Sequence, residues 1–315
     1  MISYKAEQTH MPMKTIIKTS LATAVAAASI GNAQAATFYT TNTTQHATSG
    51  TAWNTQADGL GTDGSSTTYN VPENDLIIQS GHTIRSHANS DNANTIWNSN
   101  SISLNGTFHT GAKLNTTSTF NTNITVTTGA KWSIATNAAI VNGSGNLVLS
   151  DQTLLMQHSS SGSTGSLDFG LNIDGSGTID LGYASENLGY IAFNNLSSDF
   201  TGTIDASKAN NMTLKFAAGN GAFSSRLLLG RSGNDKLVKL DLDGNYSIGE
   251  LKIDNIGIAD GTYTYADLVA LNGTFADNLI DNGGLISVGV AAVPEPSTSA
   301  LFGLAGLTLL ARRRR

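Results

Sequence analysis

NITVTTGAKWSIATNAAIVNGSGNLVLS, from Asn123 to Ser150, is a chain of short runs in which apolar and polar residues alternate, separated by Gly, Asn and Ser. Ile124 and Val126, Trp132 and Ile134, and Leu147 and Leu149 each stand two residues apart. A period of two puts each pair on one side of a strand. Upstream, SISLNGTFHTGAKLNT continues the pattern with Ile102, Leu104, Phe108 and Leu114. NDLIIQSGHTIRS, Asn74 to Ser86, reads as strand, turn and strand, with Leu76-Ile77-Ile78 paired with Ile84 across Ser80-Gly81-His82.

Three echoes suggest a repeated coil. Thr110-Gly111-Ala112-Lys113-Leu114 returns as Thr128-Gly129-Ala130-Lys131-Trp132, 18 residues on. VNGSGNLVL (Val141 to Leu149) resembles IDGSGTIDL (Ile173 to Leu181), offset by 32, and the GTID at Gly177 returns at Gly202, offset by 25. The offsets disagree, but coils of unequal length are what a parallel β-helix gives, because its corner loops vary freely. The expected fold is all-β: an irregular right-handed parallel β-helix, or solenoid, with a β-sandwich as the alternative. A solenoid must cover its terminal edges, and Ala36 to about Val71 and the chain after about Leu251 are the candidate caps.

Composition agrees with many short strands. The 315 residues include 33 glycines, only 13% charged residues and no cysteine. Disulfides and thiolate metal sites are thereby excluded. Between Ala36 and Pro296 there are 10 Lys+Arg against 22 Asp+Glu, a net charge of −12. An acidic body argues against a nucleic-acid partner.

The two ends are of a different character. From Met13 the chain runs MKTIIKTSLATAVAAASIGNAQAATFY: Lys14 and Lys18 supply a basic start, Leu21 to Ile30 an apolar core, and Ala33-Gln34-Ala35 an A-x-A cleavage site. Signal peptidase would then release a chain starting at Ala36, and Met13 is the expected initiator. At the other end, Val293 to Arg315 reads VPEPSTSALFGLAGLTLLARRRR. Its apolar run, Ser297 to Ala311, spans roughly 22 Å as a helix at about 1.5 Å per residue, short of a bilayer core near 30 Å. Snorkelling by Arg312, Arg313, Arg314 and Arg315 closes that gap and keeps the end cytoplasmic. Pro294 and Pro296 hold the segment around Glu295 extended. The expected organisation is a leader over 1–35, a β-rich body over 36–292 and a terminal segment over 293–315.

These last residues resemble the PEP-CTERM sorting signal: Pro294-Glu295-Pro296, a short transmembrane helix, then an arginine cluster. The resemblance covers about 23 residues. It implies a Gram-negative-type envelope, transient membrane insertion, and processing by an exosortase, a membrane-embedded cysteine transpeptidase that supplies the catalytic groups. It also implies an association with exopolysaccharide. NLSSDFTGTIDAS, Asn195 to Ser207, is weakly similar to strand units of autotransporter-type solenoid passengers.

The body offers few groups for chemistry. KLDLDGNYSIGE, Lys239 to Glu250, sets Asp241, Asp243 and Glu250 at positions 3, 5 and 12 of a calcium loop. Lys239 occupies the first position, where an oxygen belongs, so a strand with outward acids and a turn at Asp243-Gly244-Asn245 is the expected structure. SGNDKL, Ser232 to Leu237, resembles half of the nonapeptide repeat that binds calcium in toxin-type β-rolls, a motif that works by stacking several copies where here there is one. Of the histidines His10, His46, His82, His87, His109 and His158, none has zinc-helix spacing. Asp174, Asp180, Asp199 and Asp205 would line one face only at the right coil length, and Trp53, Trp97 and Trp132 are expected in the core or a cap rather than on sugars. The sequence points to a cofactor-free, non-enzymatic protein of the cell surface or extracellular matrix, structural or adhesive in role. A carbohydrate-active β-helix enzyme, a lyase or hydrolase, is the alternative.

Overall fold

Strand Asp75–Ile78 does not pair with its neighbour in sequence, Thr83–Arg85. It lies in parallel between Thr37–Thr40 and Ser101–Leu104, whereas Thr83–Arg85 joins Thr44–His46 and Thr107–Thr110 in another sheet. The expected pairing across Ser80-Gly81-His82 is therefore wrong: that turn is a corner at which the chain leaves one sheet for the next. Two short apolar runs around a Gly turn look alike in a hairpin and at a solenoid corner, since both need period-two strands and a sharp reversal of direction.

The computed structural model describes residues 35–41, 44–86, 94–110, 116–134, 138–158, 166–181, 189–209, 212–216, 223–230 and 238–289. In the unit that begins at Ala36 the strands form three sheets of 7, 12 and 8 strands. The chain visits the first, second and third in turn, so nearly every pairing is parallel and runs coil to coil. Six turns supply parallel strands to the first face, from Thr37–Thr40 to Asn172–Gly175. The second and third faces continue past them to Leu285–Val288 and Leu279–Asp281. The fold is a parallel β-solenoid.

Coil length follows from register. Ser101 pairs with Asn123 and Ala139 with Leu167, 22 and 28 residues apart. The GTID recurrence is a true coil: Thr178, Ile179 and Asp180 lie beside Thr203, Ile204 and Asp205. The other two echoes are not. Gly143 and Gly145 turn the chain from the third face to the first, packed on the backbone of Phe120 and Thr122. Gly175 and Gly177 turn it from the first face to the second, packed on Leu149 and Gln152. Gly-Ser-Gly recurs because two different corners pose the same steric problem, a backbone approach too close for a β-carbon. Thr128 to Lys131 likewise lie at a first-to-second corner, while Thr110 ends a second-face strand and residues 111–115 lie outside the described residues.

Inward side chains stack in rows. Leu76, Ile102, Ile124, Leu147 and Ile173 run down the first face, and Leu154, Ile179, Ile204, Leu227 and Leu251 down the second, all buried. An aromatic spine threads the interior: Trp53 and Trp97 at 6.4 Å, Trp97 and Phe120 at 5.5 Å, Phe108 and Trp132 at 5.0 Å, Trp132 and Phe169 at 5.2 Å, then Phe193, Phe216 and Tyr246. Edge-to-face and offset pairs at these spacings add about 0.5–1.5 kcal/mol each beyond area burial. All three tryptophans are fully buried, which removes them as sugar-stacking platforms.

Both ends are covered, within the segments named as caps. Trp53–Asn54 runs antiparallel on Thr37–Thr40 and closes the first face. Asn54, itself fully buried, gathers the following loop by donating to the carbonyls of Gly59 and Gly61 and to Asp63 Oδ1. At the far end Gly261–Thr264 lies antiparallel on Leu285–Val288. It leads into helix Tyr265–Leu271, whose start is fixed by a capping box between Thr264 and Asp267.

Candidate functional site

Outward-facing polar residues repeat with the coil and bond to one another. At the corner between third and first faces, Asn98 Nδ2 donates to Asn70 Oδ1 at 2.5 Å and Asn121 Nδ2 to Asn98 Oδ1 at 2.8 Å; Ser144 Oγ then donates to Asn121 Oδ1 at 3.3 Å. A second ladder follows two residues on, at the starts of first-face strands, where Asn123 Oδ1 accepts from Asn146 N (3.0 Å) and Asn146 Oδ1 from Asn172 Nδ2 (3.2 Å). Parallel strands about 4.8 Å apart suit such stacking. Each amide uses part of its capacity along the ladder and still presents polar atoms to solvent.

The four aspartates weighed from the sequence do not converge. Asp180 and Asp205 are register partners on the second face. Asp174 belongs to the first face and accepts from the Gly175 amide, and Asp199 sits in an exposed turn. Of the histidines, His82 stands at a corner with Nδ1 3.0 Å from Thr40 Oγ1, while His46 and His109 flank Arg85 in one second-face row. His10 and His87 lie outside the described residues, as does Ser232 to Leu237.

The calcium-loop candidates are held apart by partners of their own. Asp243 accepts from the Tyr246 hydroxyl. Burial, and then that carboxylate, raise the phenol's pKa well above the ordinary tyrosine value. Glu250 is clasped by Arg226 at 2.6 Å and Lys252 at 2.9 Å. The hydrogen bond from Lys252, with the Arg226 charge behind it, holds its carboxyl below the ordinary glutamate range. A lowered folded-state value gives stability that is present above the unfolded pKa and lost as pH falls through the folded one. Wild-type chain should therefore exceed Glu250→Gln in urea midpoint near neutrality. The difference should fall away in acid, as pH drops from the ordinary glutamate range through that lowered value, and shrink at high salt, because the pair is surface-exposed.

Asp241 departs from expectation. It was to face solvent, yet its side chain is only 6% exposed. Its Oδ2 lies 3.1 Å from Lys215 Nζ, and its Oδ1 accepts from Asn282 Nδ2 at 2.5 Å. Lys215 Nζ stands 5.4 Å from the centre of the Tyr190 ring, whose hydroxyl donates to Asp168 Oδ2 at 3.2 Å. Alternation placed Asp241 outward correctly, but neighbouring coils lay Lys215 and Asn282 over it. No sequence signal marks this group, since Asp241 and Asn282 are 41 residues apart.

The residues expected at the two processing sites flank the described solenoid in sequence. Ala33 is outside the described residues, Ala35 is exposed, and the Ala36 carbonyl accepts the Asp75 amide at 3.0 Å, the start of the first-face ladder. The last strand, Leu285–Val288, is followed by Gly289, whose amide donates to the Ile248 carbonyl at 2.9 Å. Pro294, Glu295, Pro296, the run Ser297 to Ala311 and Arg312 to Arg315 lie outside the described residues. Among the described residues no helix is long and apolar enough to cross a membrane. Residues 292–315 match the PEP-CTERM protein-sorting motif.

The chain carries a PEP-CTERM sorting signal. That signal implies processing by an exosortase and export to the cell envelope or surface. No curated protein and no solved structure matches the chain. The PEP-CTERM match begins three residues after Gly289, the last residue described in the solenoid.

Proposed function

We propose that this exported solenoid is a non-enzymatic structural or adhesive component of the cell surface or matrix, held to exopolysaccharide. The observation that carries this reading is the paired asparagine ladder at the corner between the third and first faces. It is a row of amide donors and acceptors repeating at the coil spacing, suited to many weak hydrogen bonds along a polymer. Individually such contacts contribute little in water. Repeated along one strand of glycan they gain from effective concentration.

Intact mass from cells with and without a functional exosortase tests the sorting part. A species running from Ala36 to near Pro296 is expected only where the enzyme is present, and a chain ending at Arg315 in both strains would sink the reading. The purified body should then co-sediment with the cell's own polysaccharide without creating new reducing or unsaturated ends. A second reading, a carbohydrate-active enzyme, draws on the register-paired Asp180 and Asp205. Depolymerisation abolished by Asp205→Asn would establish it and refute the first.

A further inference from the structure

The group around Asp241 has the composition of a self-processing site. One carboxylate touches an amine and a carboxamide at once: Oδ2 is 3.1 Å from Lys215 Nζ and Oδ1 is 2.5 Å from Asn282 Nδ2. The three residues come from three strands or turns brought together only by folding. Lys215 is on Met212–Phe216, Asp241 on Val238–Leu242, and Asn282 follows Leu279–Asp281. Each is fixed from behind. Leu214 pairs with Leu240 and Leu242 with Asp281. The turn carrying Asn282 is held by the Gly284 amide on the Leu242 carbonyl at 2.8 Å and by the Gly283 amide on Asp281 Oδ1 at 3.2 Å. The Tyr190 ring stands beside the amine, and register-paired Ala192, 6% exposed, leaves no polar side chain between Asp168 and Lys215 in their row.

We infer that Lys215 and Asn282 join in an intramolecular isopeptide bond, with Asp241 as the proton carrier. Asp241 Oδ2 takes a proton from the ammonium of Lys215, and the freed Nζ lone pair attacks Cγ of Asn282. The Nζ–Cγ bond forms as the Cγ–Nδ2 bond breaks. With its carboxyl rotated, Asp241 hands that same proton to the departing Nδ2, and ammonia leaves, taking up the second Nζ proton as ammonium. The balance is one ammonium and one carboxamide in, one secondary amide and one ammonium ion out, with no oxidant or co-reactant. Asp241 lies within hydrogen-bond reach of both the amine and the carboxamide, as a proton carrier between them must. The product would tie three neighbouring coils beside the C-terminal cap. It would constrain the unfolded chain as a disulfide does, in a protein with no cysteine.

The test is peptide mapping of the full exported chain. Trypsin does not cut after an acylated lysine. A branched species is therefore expected, joining residues 209–226 to the peptide that starts at Ile253, lighter by one ammonia than the sum of its parts. Lys215→Arg keeps the ion pair with Asp241 but cannot form the amide. It should restore the full mass, abolish the branched species and lower the thermal midpoint while circular dichroism stays that of the solenoid. Recovery of linear 209–215 and 216–226 from the wild-type chain would overturn the inference. So would loss of ammonia confined to a linear peptide, since a succinimide at Asn282-Gly283 gives that mass without a branch.

Discussion

Trp132→Ala should destabilise the solenoid by about 3–5 kcal/mol, the range for truncating a large buried aromatic. Trp132 is fully buried on Lys131–Ile134. Its ring lies 5.0 Å from Phe108, 5.8 Å from Phe120 and 5.2 Å from Phe169, and its Nε1 donates to Thr110 Oγ1 at 3.1 Å. It therefore bridges three successive coils. In a quasi-one-dimensional fold, stability is a sum of coil terms and nearest-neighbour interfaces, and a cavity here weakens two interfaces at once. Urea unfolding followed by circular dichroism should show a lower midpoint and a broadened transition as the two halves uncouple. Trp53→Ala at the cap should leave the later coils cooperative. A loss below about 1 kcal/mol for Trp132→Ala would mean that the spine carries little of the coupling.

The sequence showed the strands better than it showed their partners. Alternation correctly placed Ile102, Leu104 and Phe108 inside, because period two survives whatever sheet a strand joins. It could not tell a corner from a hairpin at Ser80-Gly81-His82. Of three echoes only Gly177-Asp180 over Gly202-Asp205 marked a coil, and the other two marked corner chemistry repeated at unlike corners. Trp53, Trp97 and Trp132 were legible as core. Asp241 was not legible as a buried, doubly engaged carboxylate, because its partners are set by the lengths of intervening loops rather than by any local pattern. The sorting signal lay at the opposite extreme, legible in full as one short contiguous motif.

The corner glycines give the sharpest test of register, because two of them have positive φ and differ in what lies alongside. Gly129 has φ +84° with open space where a β-carbon would go, and Gly143 has φ +133°. A β-carbon at Gly143 would fall against the carbonyl oxygen, carbonyl carbon and amide nitrogen of Phe120, one coil back. Gly129→Ala should therefore cost only the left-handed strain, about 1 kcal/mol. Gly143→Ala adds a clash with backbone that no side-chain rotation can relieve. It must push apart the coils that hold Phe120, itself fully buried against Trp97 and Trp132. The expected loss is at least about 3 kcal/mol, at the upper end for overpacking, and the soluble yield of the folded chain should fall with it. Paired urea melts decide the matter. If the two variants lose similar amounts, the corner is not in this register, and the Asn98, Asn121 and Ser144 ladder built on the same corner loses its basis. If Gly143→Ala alone is severe, the contact between coils at that corner is as close as the ladder requires, and the amides proposed to meet glycan are held in a fixed row.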